Sequence, residues 1–104
     1  MPMDLLVPNE VVMFISKLQN DTKAKVARHL DLLAKYNYSL RMPYSKKLLN
    51  NIFELRVKGR QEIRLMYTFR KNKILLLNGF IKKTNKTPRV EIEKTINRIK
   101  ALDT

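Results

Sequence analysis

The sequence contains no cysteine, no tryptophan, one histidine and two glycines. Without cysteine there is no disulfide framework and no thiolate metal site. The lone histidine, His29, argues against a histidine-based zinc site and against a histidine catalytic pair. Two glycines and four prolines leave little chain for long flexible linkers. No apolar run approaches the roughly twenty residues that a membrane span needs. No charged-then-apolar segment at the N-terminus reads as a signal peptide. No HExxH or DxD pattern and no pair of carboxylates suggests a metal enzyme or a conventional acid–base enzyme. The expectation is a protein of the reducing cytoplasm with no cofactor, no metal and no membrane association.

What the chain has in excess is positive charge. Its 104 residues suit a single domain, 1–104, with one core. Lysine and arginine number 22 against nine acids, a net charge of +13. The excess is local. Residues 1–40 carry five bases and four acids, and residues 90–104 carry three of each. Residues 41–89 carry fourteen bases against two acids, Glu54 and Glu62. A charge kept for solubility is spread more evenly. A concentrated one implies a polyanion partner: nucleic acid first, an acidic protein second, an anionic membrane surface third.

The apolar pattern divides the chain. Met1 to Val7 reads as a short edge strand or a loose end. Pro8-Asn9-Glu10 opens a helix whose Val11, Val12, Ile15 and Leu18 share one face. Asn20-Asp21-Thr22 offers the cap of a second helix running to about Tyr36, with Val26, Ala27, Leu30, Leu33 and Ala34 as its stripe. Residues 37–51 read as irregular. The period then falls from 3.6 to 2. Phe53, Leu55 and Val57 alternate with Glu54, Arg56 and Lys58. After a turn at Gly59-Arg60, Ile63, Leu65, Tyr67 and Phe69 alternate with polar neighbours. After Lys71-Asn72 comes Ile74–Leu77, apolar on both faces, as a central strand is. Thr87 as cap and Pro88 at the first position start a last helix, with Ile92, Ile96, Ile99 and Leu102 on its inner face. The fold class is α+β: a small antiparallel sheet of three to four strands, two N-terminal helices and one C-terminal helix, with the helices mainly on one face.

Alternation puts Glu54, Arg56, Lys58, Arg64 and Arg70 on the face away from the helices. Arg56 and Arg64 then sit on neighbouring strands, about 5–8 Å apart at Cβ. Like charges at that range are tolerated when solvent screens them or an anion sits between them. The third strand delivers Lys82 and Lys83 to the rim, alternation allowing only one to point inward. Lys86 follows in the loop 84–87 with hydroxyl and amide side chains around it, and Arg89 lies in the opening turn of the last helix, where N–H groups attract anions. Arg60 sits in the turn between the first two strands. Forked guanidiniums, ammonium point charges and a helix N-terminus together suit phosphate. Glu54 reads either as a general base or as the partner that holds Arg56. RNA carries its own nucleophile, the 2′-OH, so a basic site can cleave it by orientation and charge stabilisation alone. A basic nucleic-acid-binding module without catalysis is the rival reading.

Three stretches carry a family resemblance. NNIFELR (50–56), IRLMYTF (63–69) and LLNGFIKKTNKTP (76–88), followed by Glu91-Ile92, resemble the HigB-like, phage-derived branch of the RelE superfamily. That branch shows an LWELR strand, a YRVFY strand and an LLHGFxKKTxKTPxxEI segment. Here Phe53 stands for the tryptophan, Asn78 for the histidine and Glu62-Ile63 for a Gly-Tyr pair. The tyrosine or histidine that some relatives carry near the C-terminus is absent. The resemblance implies a RelE-like fold and the toxin of a type II toxin–antitoxin module. Such toxins are endoribonucleases that cleave mRNA, commonly on the ribosome, and a cognate antitoxin neutralises them. The antitoxin implied is a helix-turn-helix protein, and operator DNA is met only through its complex. Position by position, the resemblance gives Arg56, Arg64, Lys82 or Lys83, and Glu54 the catalytic places. Lys58, Arg60, Arg70, Lys82, Lys86 and Arg89 are left to hold RNA. A toxin that has lost its activity is the remaining alternative.

Overall fold

A computed structural model describes residues 1–102. The elements are β1 (Asp4–Leu6), α1 (Asn9–Ser16), α2 (Asn20–Tyr36), a 3-10 turn (Asn37–Ser39), β2 (Ser45–Leu49), β3 (Ile52–Val57), β4 (Ile63–Arg70), β5 (Lys73–Ile81) and α3 (Arg89–Leu102). The expected α+β class holds, and its sheet is larger than the alternation suggests. Five strands lie in the order β1-β5-β4-β3-β2. β2 to β5 form an antiparallel meander, while β1 joins β5 in parallel, so the sheet is mixed. The additional strand is β2, in the stretch expected to be irregular. Its residues do not alternate cleanly because it is an edge strand with a bulge between Lys47 and Leu49. The expected domain, 1–104, extends two residues past the described ones.

Each boundary has a local cause. The carbonyl of Pro8 accepts from the N–H groups of Val11 and Val12, which starts α1. α2 ends where Asn37 turns to φ 36°. Lys71 and Asn72 take φ 51° and 62°, the left-handed pair that a tight hairpin between twisted strands requires. α3 departs from expectation in its cap. The Pro88 carbonyl accepts from the N–H groups of Glu91 and Ile92, but the Thr87 hydroxyl is turned away from the helix to another partner.

α1 and α2 cover one face of the sheet. Val11, Leu18, Val26 and Leu33 meet Leu55, Val57, Ile63, Leu65, Tyr67, Ile74 and Leu76 there. Leu33, Leu55, Leu65 and Leu76 are fully buried, each contributing about 2–3 kcal/mol of transfer free energy. Val12 and Ala27, expected in these stripes, lie exposed. Tyr67 shares a short hydrogen bond with Ser45 in this core, and burial pushes its phenol upward while that bond pulls the other way.

The opposite face is not open to solvent, and this corrects the one-sided arrangement. α3 lies over it beside β5. The Asn78 amide donates to the carbonyl and side chain of Glu91, the Arg98 guanidinium donates to the Leu77 carbonyl, and Arg70 reaches the Leu102 carbonyl. Met66, Thr68 and Thr95 are buried between these elements. That is why Ile74–Leu77 is apolar on both sides. Toward β2 the same face lies under the 82–88 loop, whose Thr87 hydroxyl donates to Glu54. No described helix is long and apolar enough to cross a membrane.

Candidate functional site

In the β3–β4 pairing Arg56 stands directly opposite Arg64, and Glu54 opposite Met66. Lys46 of β2 stands opposite Glu54. The strand period thus puts Lys46, Glu54, Arg56 and Arg64 on the face that α3 only partly covers. Glu54 and Arg64 are buried, at 3% and 2% exposure. One carboxylate oxygen, Oε1, lies 3.4 Å from Arg64 Nε and 3.8 Å from Arg56 Nε. The other, Oε2, accepts the Thr87 hydroxyl at 2.6 Å. Both guanidinium Nε atoms are buried and lack an aligned hydrogen bond. Glu54 therefore holds them by charge, with geometry left over. Arg64 is further tied by its Nη1 to Glu62 Oε2 and to the Ile63 carbonyl, each at 3.1 Å. Arg56 Nη1 meets the Met42 sulfur at 3.4 Å.

Glu54 is shared by two guanidiniums below the surface, and Glu62, 42% exposed, offsets only part of the remaining charge on Arg64. A buried cation without full compensation is costly, and a phosphate arriving between the two arginines would supply the missing charge. Two hollows open above this floor and share Arg56, Lys82 and Asn85. Lys58, Glu62, Arg64 and Thr84 complete the first. Lys46, Leu48, Glu54, Lys86, Thr87 and Ile92 complete the second. The loop after β5 is folded onto the site. Lys82 N–H donates to the Glu62 carbonyl at 2.7 Å, Lys82 Nζ to the Asn85 carbonyl at 2.9 Å, and the Thr84 hydroxyl to the Lys86 carbonyl at 2.7 Å.

The residues expected to act together are thus partly gathered. Glu54, Arg56, Arg64, Lys58, Lys82 and Lys86 converge. Lys83 is exposed and lines neither hollow, so the inward lysine of the pair is Lys82. Arg60 points toward α2, 3.7 Å from Asp21. Arg89 pairs with Glu93 on the outside of α3 and lines neither hollow. Arg70 is six residues along β4 from Arg64, about 20 Å away at strand rise, against the end of α3. His29 donates to the Lys25 carbonyl and meets Tyr44 edge-on, on the side of α2. Sequence reasoning counted the hydroxyl and amide side chains of loop 84–87 toward the phosphate site but missed Lys46 and the bond from Thr87 to Glu54. That bond was hidden by the suitability of Thr87 as a helix cap. Lys46 was hidden because its strand was not recognised; its match to Glu54 needs the β2–β3 register.

Fold and site together define a small basic α+β protein with a cluster of cations fixed around one buried carboxylate. The chain belongs to the family described as phage-derived protein Gp49-like (DUF891), whose model matches residues 13–100. That family is associated with the toxins of toxin–antitoxin modules. The matched span contains every residue of the two hollows. No curated protein compared with the chain matches it.

Proposed function

We propose that this chain, acting as a single domain over 1–104, is the RelE/HigB-like toxin of a type II toxin–antitoxin module. Its activity on this reading is metal-independent cleavage of mRNA on the ribosome. A cognate helix-turn-helix antitoxin silences it in the cytoplasm, and operator DNA is bound only through their complex. Membership of the Gp49-like family supports the toxin reading. One observation supports the nuclease reading: two arginines face each other across neighbouring strands and converge on a single buried carboxylate.

In this mechanism the 2′-OH attacks the adjacent phosphorus and the bond to O5′ breaks. The products are a 2′,3′-cyclic phosphate and a 5′-OH end. Arg56 and Arg64 clamp the non-bridging oxygens, where negative charge grows in the transition state. Lys82, in preference to Lys83, neutralises that charge and gives the departing O5′ its proton. Glu54 is a positioning residue. Both its oxygens are engaged, one by the two arginines and the other by Thr87, so it orients the arginines without meeting the 2′-OH. The proton of the 2′-OH leaves to water at the open mouth. Lys58 and Lys86 hold flanking backbone.

Induced expression is expected to arrest growth and to create new 5′ ends in cellular mRNA, mapped by primer extension. Arg64→Ala should remove both effects while leaving a folded protein, and cleavage in vitro should persist in EDTA. A folded, fully toxic Arg64→Ala variant would refute the site. RNA binding without new 5′ ends would make the chain a non-catalytic binding module.

A further inference from the structure

The two hollows differ in a way that phosphate binding does not require. Polar side chains alone wall the one containing Arg64. The one beside Glu54 has two aliphatic walls, Leu48 from β2 and Ile92 from the first turn of α3. Both are half-buried. Leu48 occupies the bulge between Lys47 and Leu49, and bulges re-aim side chains next to functional sites. Neither aliphatic wall favours a phosphate, whose oxygens lose hydration against them. A nucleobase needs this combination: apolar surface for its faces, and donors and acceptors for its edge. Asn85, exposed at the boundary of both hollows, carries an amide with both functions. The Thr87 hydroxyl, already donating to Glu54, keeps lone pairs to accept with.

We infer that the hollow between Leu48 and Ile92 is a nucleobase subsite, holding the base of a nucleotide whose phosphate lies between Arg56 and Arg64. Asn85 reads its edge. This rests on the RNA-directed reading above and adds which part of the substrate each hollow takes. Base preference is then set by Leu48, Ile92 and Asn85, and phosphate affinity by the arginines.

The test uses ligands that cannot be cleaved. The four nucleoside 5′-monophosphates and ribose 5-phosphate are titrated into methyl-labelled protein and followed by NMR. At least one nucleotide should bind about tenfold tighter than ribose 5-phosphate, which is what removing roughly 50–60 Å² of apolar surface from water against two aliphatic side chains gives. It should also shift the Leu48 and Ile92 methyl signals. Leu48→Ser and Ile92→Ser should remove that excess and leave ribose 5-phosphate binding unchanged. Arg64→Gln should weaken all five probes alike. Equal binding of ribose 5-phosphate and every nucleotide would overturn the inference, and so would an excess that survives both serine variants. The wild-type methyl map alone decides the matter if either variant fails to fold. Nuclease activity is judged separately by new 5′ ends, so a protein that binds bases but does not cut sinks the nuclease reading and spares this one.

Discussion

Glu54→Gln keeps the shape of the side chain and its acceptor for Thr87, and removes only the charge between Arg56 and Arg64. Glu54 and Arg64 have side chains 4% and 3% exposed, and Arg56 17%. Unpairing a buried charge costs about 3–5 kcal/mol. Arg56 is partly screened and Arg64 keeps Glu62, so the lower end applies: about 3 kcal/mol. For a chain of this size each kcal/mol lowers Tm by about 4 °C or more, which gives a fall on the order of 10 °C. Urea unfolding and calorimetry at low salt measure both. Glu62→Gln is the control. Glu62 is 42% exposed, and losing its ion pair with Arg64 should cost under about 1 kcal/mol. The second readout is anion binding. With Glu54 neutral the arginines lack their internal counter-charge, so inorganic phosphate should stabilise Glu54→Gln more than the wild type, by linkage. If Glu54→Gln matches the wild type in stability and responds no more to phosphate, the carboxylate does not hold the guanidiniums, and its place in the mechanism is wrong.

The inward lysine can be told from the outward one by salt. Lys82→Ala should weaken RNA binding and flatten the slope of log K against log salt by about 0.7 for a single strand; a larger effect from Lys83→Ala would reverse the assignment. Tyr67 predicts an alkaline limit. Burial raises its pKa above 10.0 against the opposing Ser45 bond, so its neutral form favours the fold fully below pH 10 and less as pH climbs through the folded pKa. Stability measured from pH 9 to 12 should fall less steeply in Tyr67→Phe, at a cost near about 1 kcal/mol for the lost Ser45 bond; parallel curves would remove Tyr67 as a cause. Gly79→Ala would set a Cβ 2.6 Å from Phe14 and 2.9 Å from Leu65. The overpacking should cost about 1–3 kcal/mol in urea unfolding, partly recovered by Phe14→Leu; no loss would mean that α1 yields easily at this point.

Elements with clean periodicity could be read from residues alone. β3 and β4 alternate because one face packs on α1 and α2, and the face carrying Arg56 and Arg64 followed from that period. β2 could not be read so. Pairing on one side only, and bulged, it needs no strict alternation, and its segment carries Pro43 and two asparagines that read as breakers. The position of α3 was also hidden. Its half-buried isoleucines show that one side packs, not which face of the sheet receives it. The doubly apolar Ile74–Leu77 run held that information, since a central strand is apolar on both faces only when both are covered.

The site shows a different limit. The repulsion between Arg56 and Arg64 was visible from spacing, and so was the choice between solvent and an anion as its remedy. The third component, Glu54, was read only as a general base or as a partner for Arg56; the structure buries it and shares it with Arg64 as well. That component depends on Thr87, which is 33 residues away along the chain. A threonine before a proline at the start of a helix satisfies the local capping rule so well that no bond to Glu54 is suggested. The local rule loses here because Glu54 is buried and its free oxygen must be satisfied, whereas the helix end is exposed to water and can do without the cap. The same hydrogen bond fastens the 82–88 loop over the arginines. The segment with the densest charge is thereby held in place by a neutral hydroxyl, and its lysines need no direct bond to Glu54 to stay near the site.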